Sequence, residues 1–113
     1  MNHVFRCRNK SLPPGEHKTT LVSIETVPSP LNRERDATEF RFQNTDGEIT
    51  KLAGTVMRIG EGLHEFAEQL LGTPIVCDDE VDLDECIGRA YEVTVVPNRT
   101  GGVTIDSVKP ISE

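Results

Sequence analysis

The chain has no Trp, one Tyr and four Phe among its 113 residues, so a surface built on stacked aromatic rings has few side chains to draw on. No apolar run approaches the roughly 20 residues of a bilayer-spanning helix. The opening MNHVFRCRNK has no apolar core of the signal-peptide kind, and a cytoplasmic protein with no membrane contact is the expectation. Cysteine is scarce and odd in number. Cys7, Cys77 and Cys86 lack close pairing, which argues against a secreted disulfide framework. His3 and Cys7 are four apart and Cys77 and Cys86 nine apart, spacings that match no zinc knuckle or ribbon. No metal or cofactor is expected, and Cys86 within DLDECIG reads as a small buried apolar residue.

Catalytic patterns are missing as well. His17 and His64 fall on different elements, no Ser sits in a nucleophile elbow, and no glycine pattern forms a phosphate loop. Asp78, Asp79, Asp82 and Asp84 invite a divalent cation, but their spacing fits no EF-hand loop. The expectation is a protein that is not an enzyme.

Positive charge is the minority sign: 12 Lys and Arg stand against 19 Asp and Glu, for a net charge of −7. Affinity for a polyanion comes largely from Lys and Arg displacing counterions, so the balance opposes such a partner until its distribution is considered. Nine of the acids and none of the bases lie between Gly60 and Cys86. The remainder of the chain is slightly basic. An acidic segment held at one end would leave the opposite surface able to attract phosphate.

What the chain does have is five β-type runs: 17 to 27, 38 to 43, 48 to 57, 90 to 96 and 102 to 108. Phe40 and Phe42 alternate with Glu39, Arg41 and Gln43, and Tyr91, Val93 and Val95 with Glu92 and Thr94, the period of half-buried strands. The two Phe therefore read as core. Asn44 to Gly47 and Asn98 to Gly102 are turn-rich closures of two hairpins. Over 61 to 72, Leu63, Phe66, Ala67, Leu70 and Leu71 recur at helical spacing, with Gly72 and Pro74 as the stop. VDLDECIG then predicts a helical turn capped by Asp82 or Asp84 and anchored by Val81, Leu83 and Ile87. Length and composition suit one domain. The expected fold is mainly β, a five-stranded Greek-key barrel of the OB type over 17 to 113, with one capping helix between strands 3 and 4. Residues 1 to 16 are expected as a flexible N-terminal arm, carrying Phe5, Arg6, Arg8 and Lys10.

From Leu70 and Leu71 through VDLDECIGRAYEVTVVPNRTGGVTIDSVKPI the chain resembles the small phage-type single-stranded DNA-binding proteins and related phage replication accessory proteins. The residues that carry the likeness are Asp82, Leu83, Ile87, Gly88, Val93, Val95, Gly101, Ile105, Val108 and Pro110, with Gly15 and Glu16 matching the opening strand. It spans roughly residues 13 to 111 and rests mostly on structural positions. It implies an OB barrel that coats single strands with little sequence preference during phage or mobile-element replication or recombination, in the host cytoplasm if phage-encoded.

Such binding needs a basic groove along the strand's backbone. Arg33 and Arg35 from the loop between strands 1 and 2, Arg41 and Gln43 on strand 2, Lys51 on strand 3 and Arg99 in the last hairpin loop are the candidate contacts. They are expected on one face, away from the acidic stretch, with single-stranded DNA or RNA as ligand and electrostatics rather than rings supplying affinity. Replication or recombination proteins and a second copy of the chain are the further partners considered. The competing expectation is a protein-docking OB module whose acidic helix and loop meet a basic partner.

Overall fold

The computed structural model describes residues 3, 5, 7–29 and 35–111. Among them, five antiparallel strands form one sheet with a single α-helix against it. In chain order these are β1 (Gly15–Pro28), β2 (Asp36–Asn44), β3 (Gly47–Ala53), α1 (Gly62–Leu71), a 3-10 turn (Leu83–Cys86), β4 (Ala90–Pro97) and β5 (Val103–Pro110). The hydrogen-bonded order is β3-β2-β1-β4-β5. The two end strands, β3 and β5, also come into contact.

β1 is long because it serves two partners. Gly15 to Thr20 pair with β4 and Thr20 to Pro28 with β2. Near the start of the β2-paired half the register slips at Val22, and the Leu21 amide and carbonyl turn instead to the Arg89 carbonyl (3.1 Å) and the Gly88 amide (2.7 Å). A bulge of this kind bends a strand and sharpens its twist, so one strand can run beside two neighbours that diverge.

Alternation places Leu21, Phe40, Phe42, Tyr91, Val93 and Val95 on the inner face, all essentially inaccessible. The apolar stripe of α1 covers them through Leu63, Phe66, Ala67 and Leu70. Phe66 lies 4.9 Å from Phe40 and 6.2 Å from Phe42, and Phe42 meets Tyr91 edge-on at 5.9 Å, tilted arrangements that suit aromatic quadrupoles. Two hydrogen bonds fix the helix on the sheet: the Tyr91 hydroxyl donates to the Leu70 carbonyl (3.0 Å), and the Val108 amide to Gln69 Oε1 (2.9 Å).

α1 ends at Gly72, whose φ of 71° suits a residue without Cβ and whose amide donates to the Glu68 carbonyl. His64 is buried beside the helix start. Its Nδ1 accepts from the Gly60 amide (3.1 Å), which requires the proton on Nε2, and Nε2 donates to the Ile75 carbonyl (2.8 Å). One imidazole thus links the loop before α1 to the loop after it.

Several expectations are corrected. The third strand stops at Ala53 rather than 57, and 54 to 61 form an irregular connection with a turn at Ile59 and Gly60, where the Glu61 amide donates to the Arg58 carbonyl. The arm expected over 1 to 16 is anchored well before residue 17: Ser11 bridges Glu48 in parallel, Leu12 lies fully inside the core, and Gly15 and Glu16 already belong to β1. Asp82 does cap the 3-10 turn, accepting from the Asp84 amide at 3.0 Å. Ile87 is exposed, and the buried anchor of that turn is Cys86.

Candidate nucleic-acid interface

The outer face of β2 and β3 follows from their register. Glu39 is paired with Leu52, Arg41 with Thr50 and Gln43 with Glu48, and paired residues share a face. Lys51 is paired with Phe40 and so belongs to the inner face. Its ammonium lies 6.0 Å from the centre of the Phe66 ring, in a depression that also holds Glu65 and Asp106 at the seam of β3, α1 and β5. The expectation that Arg41 and Lys51 act together on one surface is therefore corrected, and Lys51 is not separated from the acidic helix.

A cleft of about 570 Å³ opens between this outer face, the N-terminal segment and the β4–β5 loop. Arg8, Ser11, Glu39, Glu48, Thr50 and Asn98 are among its lining residues. The loop wall is held by one side chain: Asn98 Oδ1 accepts from the amides of Thr100 (3.0 Å) and Gly102 (2.9 Å) and from the Thr100 hydroxyl (2.9 Å). Arg99 is exposed on that loop. On the opposite wall, Lys10 accepts from the Glu48 amide (2.8 Å) and Leu12 donates to the Glu48 carbonyl (3.0 Å), which lays the N-terminal segment along β3.

At the floor, two arginines and two glutamates form a closed set. Arg8 lies 3.5 Å from Glu39 and 3.4 Å from Glu48, and Arg41 lies 3.4 Å from Glu39 and 3.5 Å from Glu48. The carboxylates are about nine-tenths covered, at 14% and 11% exposure, while Arg8 retains 44%. These contacts are longer than the roughly 2.7–2.9 Å of a strong charge-assisted hydrogen bond. Buried Arg41 Nε has no hydrogen-bond partner. Glu48 Oε2 is near enough to attract it but is not aligned to accept. Arg41 does not line the cleft; it contacts both carboxylates that do.

The other expected contacts are dispersed. Arg35 lines a shallower depression of about 320 Å³ with Leu52 and Gly54 at the far end of β3. Gln43 is exposed on the outer face beyond the cleft. Arg33 lies outside the described residues. The sequence reading missed Glu39 and Glu48 as site residues. The signal was present, since alternation put Glu39 on the Arg41 side and the short turn put Glu48 opposite Gln43. From the sequence, Arg8 belongs only to the expected N-terminal arm. No protein-family model, curated protein or solved structure matches this chain.

Proposed function

We propose that this chain binds single-stranded nucleic acid, DNA in the first instance, without catalysis and with little sequence preference along most of its track, and that its sheet closes as a five-stranded Greek-key barrel of the OB type capped by α1. The shared β1, the slip at Val22, the approach of β3 to β5 and the helix at their seam support the closure. The cleft between the β4–β5 loop and the outer β2–β3 face carries the functional reading, because sheet-face clefts flanked by loops are where such barrels take oligonucleotides. From Glu48 to Gly54 the outer face runs roughly 20 Å, linking that cleft to the depression beside Arg35. Arg8, Arg99 and Arg35 then mark its two walls and its far end.

Among the described residues no ring lines the cleft or the depression beside Arg35, so affinity rests on charge and is modest. The setting is phage or mobile-element replication or recombination, in the cytoplasm. Titration of fluorescent oligo(dT) at two salt concentrations tests the proposal, with binding at low salt that weakens as salt rises as the expected result. Absence of binding at low salt would transfer the function to the acidic surface. There Glu61, Glu65 and the carboxylates from Asp78 to Glu85 are exposed with Val76 and Ile87 among them, a surface suited to a basic protein partner.

A further inference from the structure

We propose that Glu39 and Glu48 form a base-reading position in the cleft that takes guanine by its N1–H and N2–H donors. The inference rests on the nucleic-acid reading above and adds one selective position to an otherwise tolerant track. Two nearly covered carboxylates on the floor of a strand-binding cleft offer phosphate no hydrogen-bond donor, so a backbone-only site gains nothing from them. Their fitting ligands are hydrogen-bond donors.

Unstacked bases in single strands are read on their Watson–Crick edges. Guanine presents two parallel donors there, which one carboxylate can accept together. Cytosine and adenine offer one amino group beside acceptors. Thymine offers a single N–H flanked by two carbonyl oxygens that a carboxylate repels. The order of preference follows: guanine first, thymine last.

The arginines make such a position workable. Each carboxylate sits between Arg8 and Arg41, so the set is neutral and a base can approach without facing uncompensated negative charge. Contacts of 3.4–3.5 Å leave the carboxylates' acceptor capacity incompletely used. The floor is held in place yet under-satisfied. Arg41 is a positioning residue here, acting through Glu39 and Glu48. The cleft's about 570 Å³ is ample for a nucleobase.

The test compares, by fluorescence anisotropy at one salt concentration, oligo(dT) with the same oligomer carrying isolated guanines, and that oligomer with inosine or 7-deazaguanine at those positions. Isolated guanines should tighten binding by roughly fivefold or more. Inosine, which lacks the 2-amino group, should lose most of that gain, and 7-deazaguanine, altered only on its other edge, should keep it. In Glu39→Gln with Glu48→Gln the guanine gain should fall toward one while oligo(dT) binds more tightly, because Arg8 and Arg41 are released. Equal binding of the guanine and thymine oligomers by the wild-type protein would overturn base reading and leave strand binding standing. An inosine oligomer as tight as the guanine one would also overturn it. Failure of every oligomer to bind would remove both proposals.

Discussion

Arg41 and Lys51 lie on opposite faces of the same β2–β3 ladder. Arg41 is paired with Thr50 and is enclosed by Glu39 and Glu48 on the outer face, whereas Lys51 is paired with Phe40 and reaches over the Phe66 ring on the inner one. A single-residue offset in register decides this, because side chains along a strand alternate strictly. Two cations that are cross-strand neighbours therefore have unrelated surroundings.

Lys51→Ala should accordingly leave oligo(dT) affinity within about twofold, while Arg8→Ala combined with Arg99→Ala should weaken it and flatten its salt dependence. Each lost phosphate contact lowers the slope by about 0.7 for single strands. Anisotropy titrations at several salt concentrations check both. A double variant with wild-type affinity and slope would show that the cleft walls do not meet phosphate.

Gly47→Ala should be markedly destabilising for so small a change. Gly47 has a φ of 152°, and a Cβ there would run into the Lys10 carbonyl oxygen, the same oxygen that accepts from the Glu48 amide. Strain of this type costs about 1–3 kcal/mol. Thermal melting should fall, and proteolysis should begin between residues 7 and 12, since the bridge to β3 is what holds that segment down.

The phenol of Tyr91 is pushed well above its ordinary range by burial, with the neighbouring Cys86 thiol adding to the effect. Its hydroxyl must remain protonated to donate to the Leu70 carbonyl. An unfolded tyrosine ionises near about pH 10, so above that pH the unfolded chain sheds a proton that the folded chain retains. The resulting stabilisation is fully present below about pH 10 and declines as pH rises toward the folded value. Tyr91→Phe should cost about 1–2 kcal/mol at neutral pH and remove this alkaline component. Tyr91 is the chain's one tyrosine, so phenolate absorbance should appear together with unfolding; its appearance in the folded protein near pH 10 would contradict the assignment.

His64→Leu keeps the bulk of the side chain but leaves the Gly60 amide and the Ile75 carbonyl without their partner. Gly60 is exposed, so water can take its amide, but Ile75 is buried, and an unpaired buried backbone group costs about 1–3 kcal/mol. Denaturant unfolding should show a loss of at least about 1 kcal/mol, even though leucine is the more apolar residue. A variant as stable as the wild type would mean that the two loops rearrange to satisfy themselves.

Elements whose periodicity is local can be read from the residues alone. Phe40 and Phe42, the valines of β4, the stripe of α1, the stop at Gly72 and a cap at Asp82 or Asp84 are all readable within about ten residues, because alternation and helical spacing act over that range. Features that depend on which strands meet, and in what register, exist only in the folded chain. The inner position of Lys51 comes from its pairing with Phe40, and the burial of Leu12 from a bridge between Ser11 and Glu48. The floor of the cleft belongs to the same class. Arg8, Glu39, Arg41 and Glu48 come from three segments of the chain, and only the register of β2 on β3, with the N-terminal segment laid alongside, sets two carboxylates between two guanidinium groups. Side-chain charge is a property of the residue, but whether that charge is free to meet a ligand depends on neighbours that are distant in sequence.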